Sequence, residues 1–262
     1  IPLFLHKDEA RGAFDTRHIE RAFNVGICDS SKSSAGNYLS PLLYILQGPD
    51  TKTGERILVH DSDILWLGDV IPVFEKSAKP FIVQGQTPRK ASDVSKENPL
   101  AHLLHFEASI ESEVSKLYFD PQLWHQKTSV ALPEMVFNAG HYVIEIGALT
   151  MDDFSDLIYE ENGQWKTIAG IELGDQGATN FAVARKKLNG EFKVESMAFS
   201  IWPREEHEWM NISRLPKPAM VHWAGLMHKS TRRVVGGHLW RYYRNIYFQQ
   251  TAKTPLRYFA WI

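Results

Sequence analysis

Two aspartates in one short segment have the spacing of metal ligands. Asp61 and Asp63 flank Ser62 and follow the apolar stretch 57–60, which predicts a β-strand. On an extended backbone, side chains two residues apart point the same way, so both carboxylates can reach one divalent cation such as Mn²⁺ or Mg²⁺. Solvated carboxylates in a turn would give the same short pattern, but its place at a strand end favours a ligand site.

A second segment, residues 174–180, has the sequence GDQGATN. Chance matches to its Asp-Gln-Gly-x-x-Asn pattern are rare, at roughly 10⁻³ for a chain of this composition. One interpretation is a turn capped by Asp175 that opens a helix over 178–187. The other is that Asp175 and Gln176 face a polar ligand from the helix start. The two interpretations are compatible.

His222 is the third candidate, because it follows the strand-like stretch 219–221. A lone His is more often a hydrogen-bonded structural residue than a ligand. Added to two carboxylates, a neutral imidazole gives a mixed nitrogen and oxygen ligand set, which suits Mn²⁺ better than Mg²⁺. Gly225 would let the backbone approach a phosphate, and Lys229 or His228 could neutralise the phosphate charge.

The elements that must position these residues alternate between strands and helices. Strands are predicted over 1–6, 23–28, 57–60, 64–67, 135–137, 142–146 and 192–201. Helices are predicted over 37–47, 98–117, 178–187 and 238–250, and a further helix starts at Thr150. Strands that are apolar on both faces and alternate with helices predict an α/β fold with a mainly parallel sheet flanked by helices. One domain over 1–229 is predicted, with a basic aromatic extension over 230–262.

The composition excludes several classes of protein. With 44% hydrophobic and 23% charged residues, the 262 residues are those of an ordinary globular chain. Cys28 is the only cysteine, which excludes an internal disulfide framework and fits a reducing compartment. The sequence has no apolar run of the roughly 20 residues that a membrane-spanning helix needs. A cytoplasmic location is therefore expected.

The charges are unevenly distributed along the chain. Residues 209–262 hold nine Lys or Arg and no Asp or Glu, so the first 208 residues carry a net charge of −11. This basic end could meet a phosphate-rich ligand, an anionic membrane surface at which the protein is peripheral, or the acidic part of the chain itself. Nucleic acid is not an expected partner, because the acidic part would repel it.

Four segments together resemble the motifs of glycogenin-like retaining glycosyltransferases of the GT-A fold, a family 8-like pattern. In order they are Asp61-Ser62-Asp63, Asn138-Ala139-Gly140, the segment 175–180 and His222-Trp223-Ala224-Gly225. The resemblance covers about residues 37–229 and implies a single Rossmann-like domain. One departure is that His228 stands six residues after His222, where the family has a lysine, and Lys229 follows it.

The resemblance also implies roles for individual residues. Asp61, Asp63 and His222 would bind Mn²⁺ or Mg²⁺, and Asp175 and Gln176 would be the catalytic residues that face the transferred sugar. The residues that would bind the donor are Ser62, Asn138, Ala139, Gly225 and Lys229. On the acceptor side, Trp124 and His125 are available either for stacking on a sugar or for ordinary packing.

The activity that the resemblance implies is transfer of a sugar from a nucleotide-diphosphate donor, a UDP-hexose, to a glycan or glycoconjugate acceptor with retention. One alternative is a non-catalytic sugar- or nucleotide-binding module on the same scaffold; the metal aspartates, His222 and Gln176 argue against it. Another is a nucleotidyltransferase that forms sugar nucleotides. Such an enzyme normally has a glycine-rich loop near its amino end, which residues 1–36 lack, and it would leave Asp175 without a role.

Overall fold

A computed structural model of the chain describes residues 3–7, 25–29, 39–47, 52–61, 63–69, 71–75, 77–86, 118–196, 200–201, 210–213, 219–223 and 234–251. The chain divides into two compact units, unit 1 formed by Ile1–Asp61 and Ile71–Ala198 and unit 2 by Ser62–Val70 and Phe199–Ile262. The predicted boundary between residues 229 and 230 lies outside the described residues and stays a prediction. Within the described part, no helix has both the length and the apolar character needed to cross a membrane.

The strands and helices have the following bounds. The strands are β1 (Leu3–Lys7), β2 (Val25–Asp29), β3 (Arg56–His60), β4 (Ile64–Trp66), β5 (Phe81–Gln86), β6 (Val136–Glu145), β7 (Ile158–Glu161), β8 (Gln164–Thr167), β9 (Val194–Ser196), β10 (Ser200–Ile201) and β11 (Met220–His222). The α-helices are α1 (Ser40–Gln47), α2 (Ile71–Glu75), α3 (Pro121–Thr128), α4 (Asp175–Leu188) and α5 (Gly237–Thr251), and Met151–Phe154 forms a 3₁₀ turn.

Unit 1 contains a four-stranded sheet in the order β3-β6-β5-β9. Strand β6 is antiparallel to both β3 and β5, and only the β5–β9 pair is parallel. The α/β class is therefore present, but the described sheet is mixed instead of mainly parallel. The physical reason is that β6 is buried along almost its whole length. A strand buried on both faces is apolar throughout whichever way its neighbours run, so its sequence does not distinguish parallel from antiparallel pairing.

Strand β6 is also longer than its sequence indicates. The two predicted strands 135–137 and 142–146 are one strand that runs through Asn138, Ala139 and Gly140. The helix predicted over 98–117 lies outside the described residues. The strand predicted over 192–201 appears as two short strands in different sheets, β9 and β10. The helix predicted from Thr150 is only a 3₁₀ turn followed by β7. Hydrogen bonds from Arg185 and the Ser155 hydroxyl occupy the Asp153 and Asp152 carbonyls, which end the turn there.

Helix α4 is buried on all sides between Gly177 and Ala184, within the core of unit 1. Its residues Ala178, Phe181, Ala182 and Val183 are at most 1% exposed. Phe181 contacts the rings of Phe119 and Trp124, with ring centroids 5.0 Å apart in both pairs. Trp124 is 1% exposed and part of this aromatic cluster, so the suggestion that it stacks on a sugar is wrong, and ordinary packing is its role.

Unit 2 contains a three-stranded sheet in the order β10-β11-β4, with β11 antiparallel to β4. Its buried residues include Met220, Val221 and Leu239, each fully buried. The Trp223 indole N–H donates to the Val235 carbonyl at 2.8 Å and thereby connects β11 to the start of α5. The helix predicted over 238–250 is confirmed as α5, one residue longer at each end.

Candidate functional site

The register of β11 against β4 places His222 beside the second aspartate of the Asp-Ser-Asp segment. His222 pairs with Ile64, the residue that follows Asp63, and the Trp223 N–H donates to the Asp63 carbonyl at 3.1 Å. The side chains then meet, with His222 Nε2 3.1 Å from Asp63 Oδ1. His222 is 1% exposed, so its ring is held by the strand packing and has little freedom to turn away.

Asp61, Asp63 and His222 together form a group that could hold a metal ion. Each offers one ligand atom, and these atoms all lie within 4.8 Å of one another. Asp61 is exposed, Asp63 is half-buried and His222 is buried, so a bound ion would be reachable from one side. Asp63 Oδ1 is buried 3.1 Å from His222 Nε2, and the two atoms do not have hydrogen-bond geometry. Because a buried carboxylate oxygen needs a partner, a cation fits this donor set.

Asp61 is held in place by the sheet of unit 1. Its N–H donates to the Gly140 carbonyl at 2.6 Å, which extends the β3–β6 pairing by one residue. The Gly140 N–H in turn donates to Asn138 Oδ1 at 2.8 Å. A short chain of hydrogen bonds therefore connects the candidate ligand Asp61 with Asn138.

Asn138 also contacts Gln176, one of the two predicted catalytic residues. Asn138 Nδ2 donates to Gln176 Oε1 at 3.1 Å, across 38 positions of sequence. The structure thus brings together two side chains that the resemblance assigns to the same sugar. Ala139 lies between Asn138 and Gly140, and its side chain is 6% exposed within the apolar core.

A tight turn places Asp175 and Gln176 at the start of α4. Leu173 and Gly174 both have positive φ angles, 48° and 60°, and Gly174 is the residue before the helix instead of the predicted cap Asp175. Gly177 lies against backbone, since a Cβ at this position would be 2.1 Å from the Tyr118 carbonyl oxygen and 2.2 Å from that of Glu172. Only glycine allows this approach, which explains why the motif has glycine here.

Burial and acidic neighbours raise the pKa of two groups in unit 1. Burial, and then the nearby Asp61 carboxylate, raise the pKa of Asp175 to about 8 although two backbone N–H groups hydrogen-bond to it. Burial, followed by the charges of Asp175 and Asp61, likewise raises the pKa of the Tyr142 hydroxyl above its ordinary value. A cation bound by Asp61 would offset this repulsion.

The sequence predictions missed two residues of this region. Tyr142 lies in β6 next to the acidic groups, but in the sequence it is one more aromatic of an apolar strand. Asn180 was part of the recognised segment, yet its spacing alone gave it no role. Three predicted donor-binding residues, Ser62, Gly225 and Lys229, lie outside the described residues.

Comparison with known proteins gives no assignment. No protein-family model, curated protein or solved structure matches this chain.

Proposed function

We propose that the chain is a metal-dependent glycosyltransferase that moves a sugar from a nucleotide-diphosphate donor, a UDP-hexose, to a glycan or glycoconjugate acceptor with retention. The observation that carries the proposal is the group of Asp61, Asp63 and His222, whose ligand atoms lie within 4.8 Å of one another. The hydrogen bond between Asn138 and Gln176 supports it further, since it joins the two amides expected to face the sugar.

The proposed metal is Mn²⁺ or Mg²⁺, with Mn²⁺ preferred because His222 contributes a nitrogen ligand. When bound, the cation would supply Lewis-acid stabilisation of the diphosphate leaving group. Asp61, Asp63 and His222 would hold it. Lys229 would add a positive charge at the phosphates.

The remaining residues would orient the sugar. Burial raises the pKa of the Asp175 carboxyl to about 8, and this carboxyl would hydrogen-bond to a sugar hydroxyl. In the transfer, the bond from the anomeric carbon to the diphosphate oxygen breaks, and its electron pair leaves with the diphosphate. The acceptor oxygen bonds to the same face, and its proton passes to the leaving phosphate oxygen. No carboxylate base is needed, which agrees with an amide, Gln176, at this place.

The test is hydrolysis and transfer with UDP-sugars in the presence of Mn²⁺, with and without a chelator. Asp63→Asn is the informative variant, because it keeps the backbone hydrogen bond to Trp223 while it removes the ligand charge. We expect turnover to fall at least about 100-fold, as for loss of a group that stabilises developing charge. Asp152→Asn, the same change at an exposed carboxylate of the 3₁₀ turn, serves as the control.

Two results would contradict the proposal. Wild-type turnover in Asp63→Asn with metal present would remove the metal site from the mechanism. Binding of metal and UDP without turnover of any donor, with acceptors supplied, would favour the binding module instead. The basic segment 230–262 is proposed to hold the enzyme at an anionic membrane surface, where a glycoconjugate acceptor would be found.

A further inference from the structure

The side-chain amide of Asn180 takes the place of a neighbouring strand. Asn180 is 1% exposed and lies in the second turn of α4. Its Oδ1 accepts from the Phe137 N–H and its Nδ2 donates to the Phe137 carbonyl, both at 2.8 Å. This is the reciprocal pair of bonds that a residue of an adjacent antiparallel strand would make. The β3–β6 pairing ends with His60 opposite His141. Phe137 lies beyond this point, where β6 continues past the end of β3.

The Asn180 amide also lies next to both Asn138 and Gln176, the two side chains proposed to face the sugar. Phe137 directly precedes Asn138, so its anchored backbone sets where the Asn138 side chain begins. Asn180 Nδ2 also donates to the Gln176 carbonyl one turn earlier in α4, at 2.8 Å. The Asn138–Gln176 hydrogen bond therefore joins two side chains next to backbone that Asn180 holds, at Phe137 before Asn138 and at Gln176 itself.

The connection continues to the metal group through one glycine. Asn138 Oδ1 accepts from the Gly140 N–H, and the Gly140 carbonyl accepts from the Asp61 N–H. We propose that Asn180 is a positioning residue, which sets the distance between the sugar-facing amides and the metal ligand Asp61 without touching the substrate. This inference rests on the proposed function for its effect on catalysis, but the ordering of Asn138 and Gln176 stands independently of it.

Asn180 also contributes to stability, so the test must separate the two roles. Two of its three hydrogen bonds are buried and the third is partly buried, so their loss should lower the melting temperature as well. The variants are Asn180→Leu, which has a similar volume and makes none of these bonds, and Asn180→Asp. When ionised, Asp at this position can still accept from the Phe137 N–H but cannot donate to either carbonyl. The matched control is Thr179→Val, because Thr179 is equally buried and its hydroxyl makes no hydrogen bond with the described residues.

The first measurement is kcat and KM for donor hydrolysis, at a temperature where circular dichroism shows each variant folded. We expect Asn180→Asp to lower kcat at least tenfold with a smaller change in KM, and its loss to deepen as rising pH ionises the new carboxyl. Thr179→Val should keep both constants. Wild-type kcat in folded Asn180→Asp at every pH, or an equal loss in Thr179→Val, would overturn the proposal.

A second measurement decides the point without activity. The side-chain amide resonances of Asn138 and Gln176 can be followed by ¹⁵N–¹H NMR in the donor-free protein. We expect them to shift or broaden in Asn180→Asp and to remain in place in Thr179→Val. If the wild type turns over no donor even with acceptors supplied, the proposed function fails while this spectrum still tests Asn180. Unchanged resonances in Asn180→Asp would contradict the positioning role.

Discussion

Gly177 is the residue of the site that tolerates substitution least. A Cβ here would meet the Tyr118 and Glu172 carbonyl oxygens at 2.1 and 2.2 Å, and backbone atoms cannot turn aside as a flexible side chain can. The Glu172 N–H donates to the Tyr118 carbonyl, so a hydrogen bond holds these two residues together and limits how far their oxygens can move. Helix α4 would have to move away from this pair.

We therefore predict that Gly177→Ala lowers the free energy of unfolding by about 3 kcal/mol or more, as for severe overpacking. Gly190→Ala at the other end of α4 is the control, since Gly190 has a φ of 73° but nothing within 4 Å of an added Cβ. It should cost only about 1 kcal/mol of backbone strain. Urea unfolding of the variants gives both values. Equal costs at the two positions would mean that the close approach is not rigid.

The candidate metal ligands could be predicted from the sequence, but their partners could not. Asp61 and Asp63 could be proposed as ligands of one cation because they lie two residues apart at the end of a predicted strand. The approach of His222 requires the register of β11 against β4, which is non-local and has no periodic signature. The hydrogen bond from Asn138 to Gln176 spans 38 positions and depends on how α4 docks on β6.

At the level of elements, an ion-pair cluster ties α4 to the segments around it. Arg185 donates from both Nη atoms to the Asp156 carboxylate, and Lys127 of α3 donates to the same group at 2.7 Å. Desolvation raises the pKa of Asp156, but the hydrogen bonds from Arg185 and Lys127 outweigh it and lower the pKa to about 2. The folded pKa is below the ordinary value of 3.8, so the stabilisation is present above about pH 4 and is lost as pH falls through about 2.

We predict that Asp156→Asn lowers the free energy of unfolding at pH 7 by about 0.5–1 kcal/mol. The effect is small because the carboxylate is 40% exposed and solvent screens it. The difference from wild type should shrink as the pH is lowered from 4 to 2, and thermal melts across this range measure it. Asp152→Asn, at an exposed carboxylate nearby, controls for net charge. A difference that stays constant down to pH 2 would contradict the ion-pair explanation.

Element types were easier to predict than the way the elements pair. Apolar periodicity predicted α5 and the buried strands because it reports burial directly. It did not predict that β6 pairs antiparallel with both neighbours, since strand direction depends on connections far along the chain. The helix expected from Thr150 failed for a similar reason, because Arg185, distant in sequence, binds the carbonyl of Asp153.

The charge distribution is a property of the whole molecule. Residues 209–262 hold nine basic and no acidic side chains, against a net charge of −11 in the rest. Helix α5 belongs to this basic part and carries Arg241 and Arg244, with Tyr242 37% exposed between them. Aromatic and basic side chains on one helix suit the interface of an anionic membrane.

We predict that the protein binds vesicles containing phosphatidylserine and not vesicles of phosphatidylcholine alone. Arg241→Glu with Arg244→Glu should weaken binding at least about tenfold, given roughly 1 kcal/mol per basic residue near the surface. Raising the salt concentration should weaken wild-type binding as well. Lys52→Glu with Lys193→Glu makes the same change in net charge at two exposed positions of unit 1. If this control loses as much binding in co-sedimentation, net charge and not α5 is responsible.

Beside Phe137, the Asn180 side chain occupies the place of a neighbouring strand. This affects how the amide protons of β6 exchange with solvent. Residues 141–145 of β6 lie opposite β3, so their protection from deuterium depends on the sheet staying closed. The Phe137 N–H is held by Asn180 Oδ1, so its release requires only a local movement of this buried side chain and the turn of α4 that carries it. We therefore expect two kinds of opening in one strand. A local opening breaks the hydrogen bonds between Asn180 and Phe137, and a cooperative opening separates residues 141–145 from β3. The end of the strand that precedes Asn138 also pairs with β5 through Val136 and Phe137, so a local opening there would leave the sheet in place.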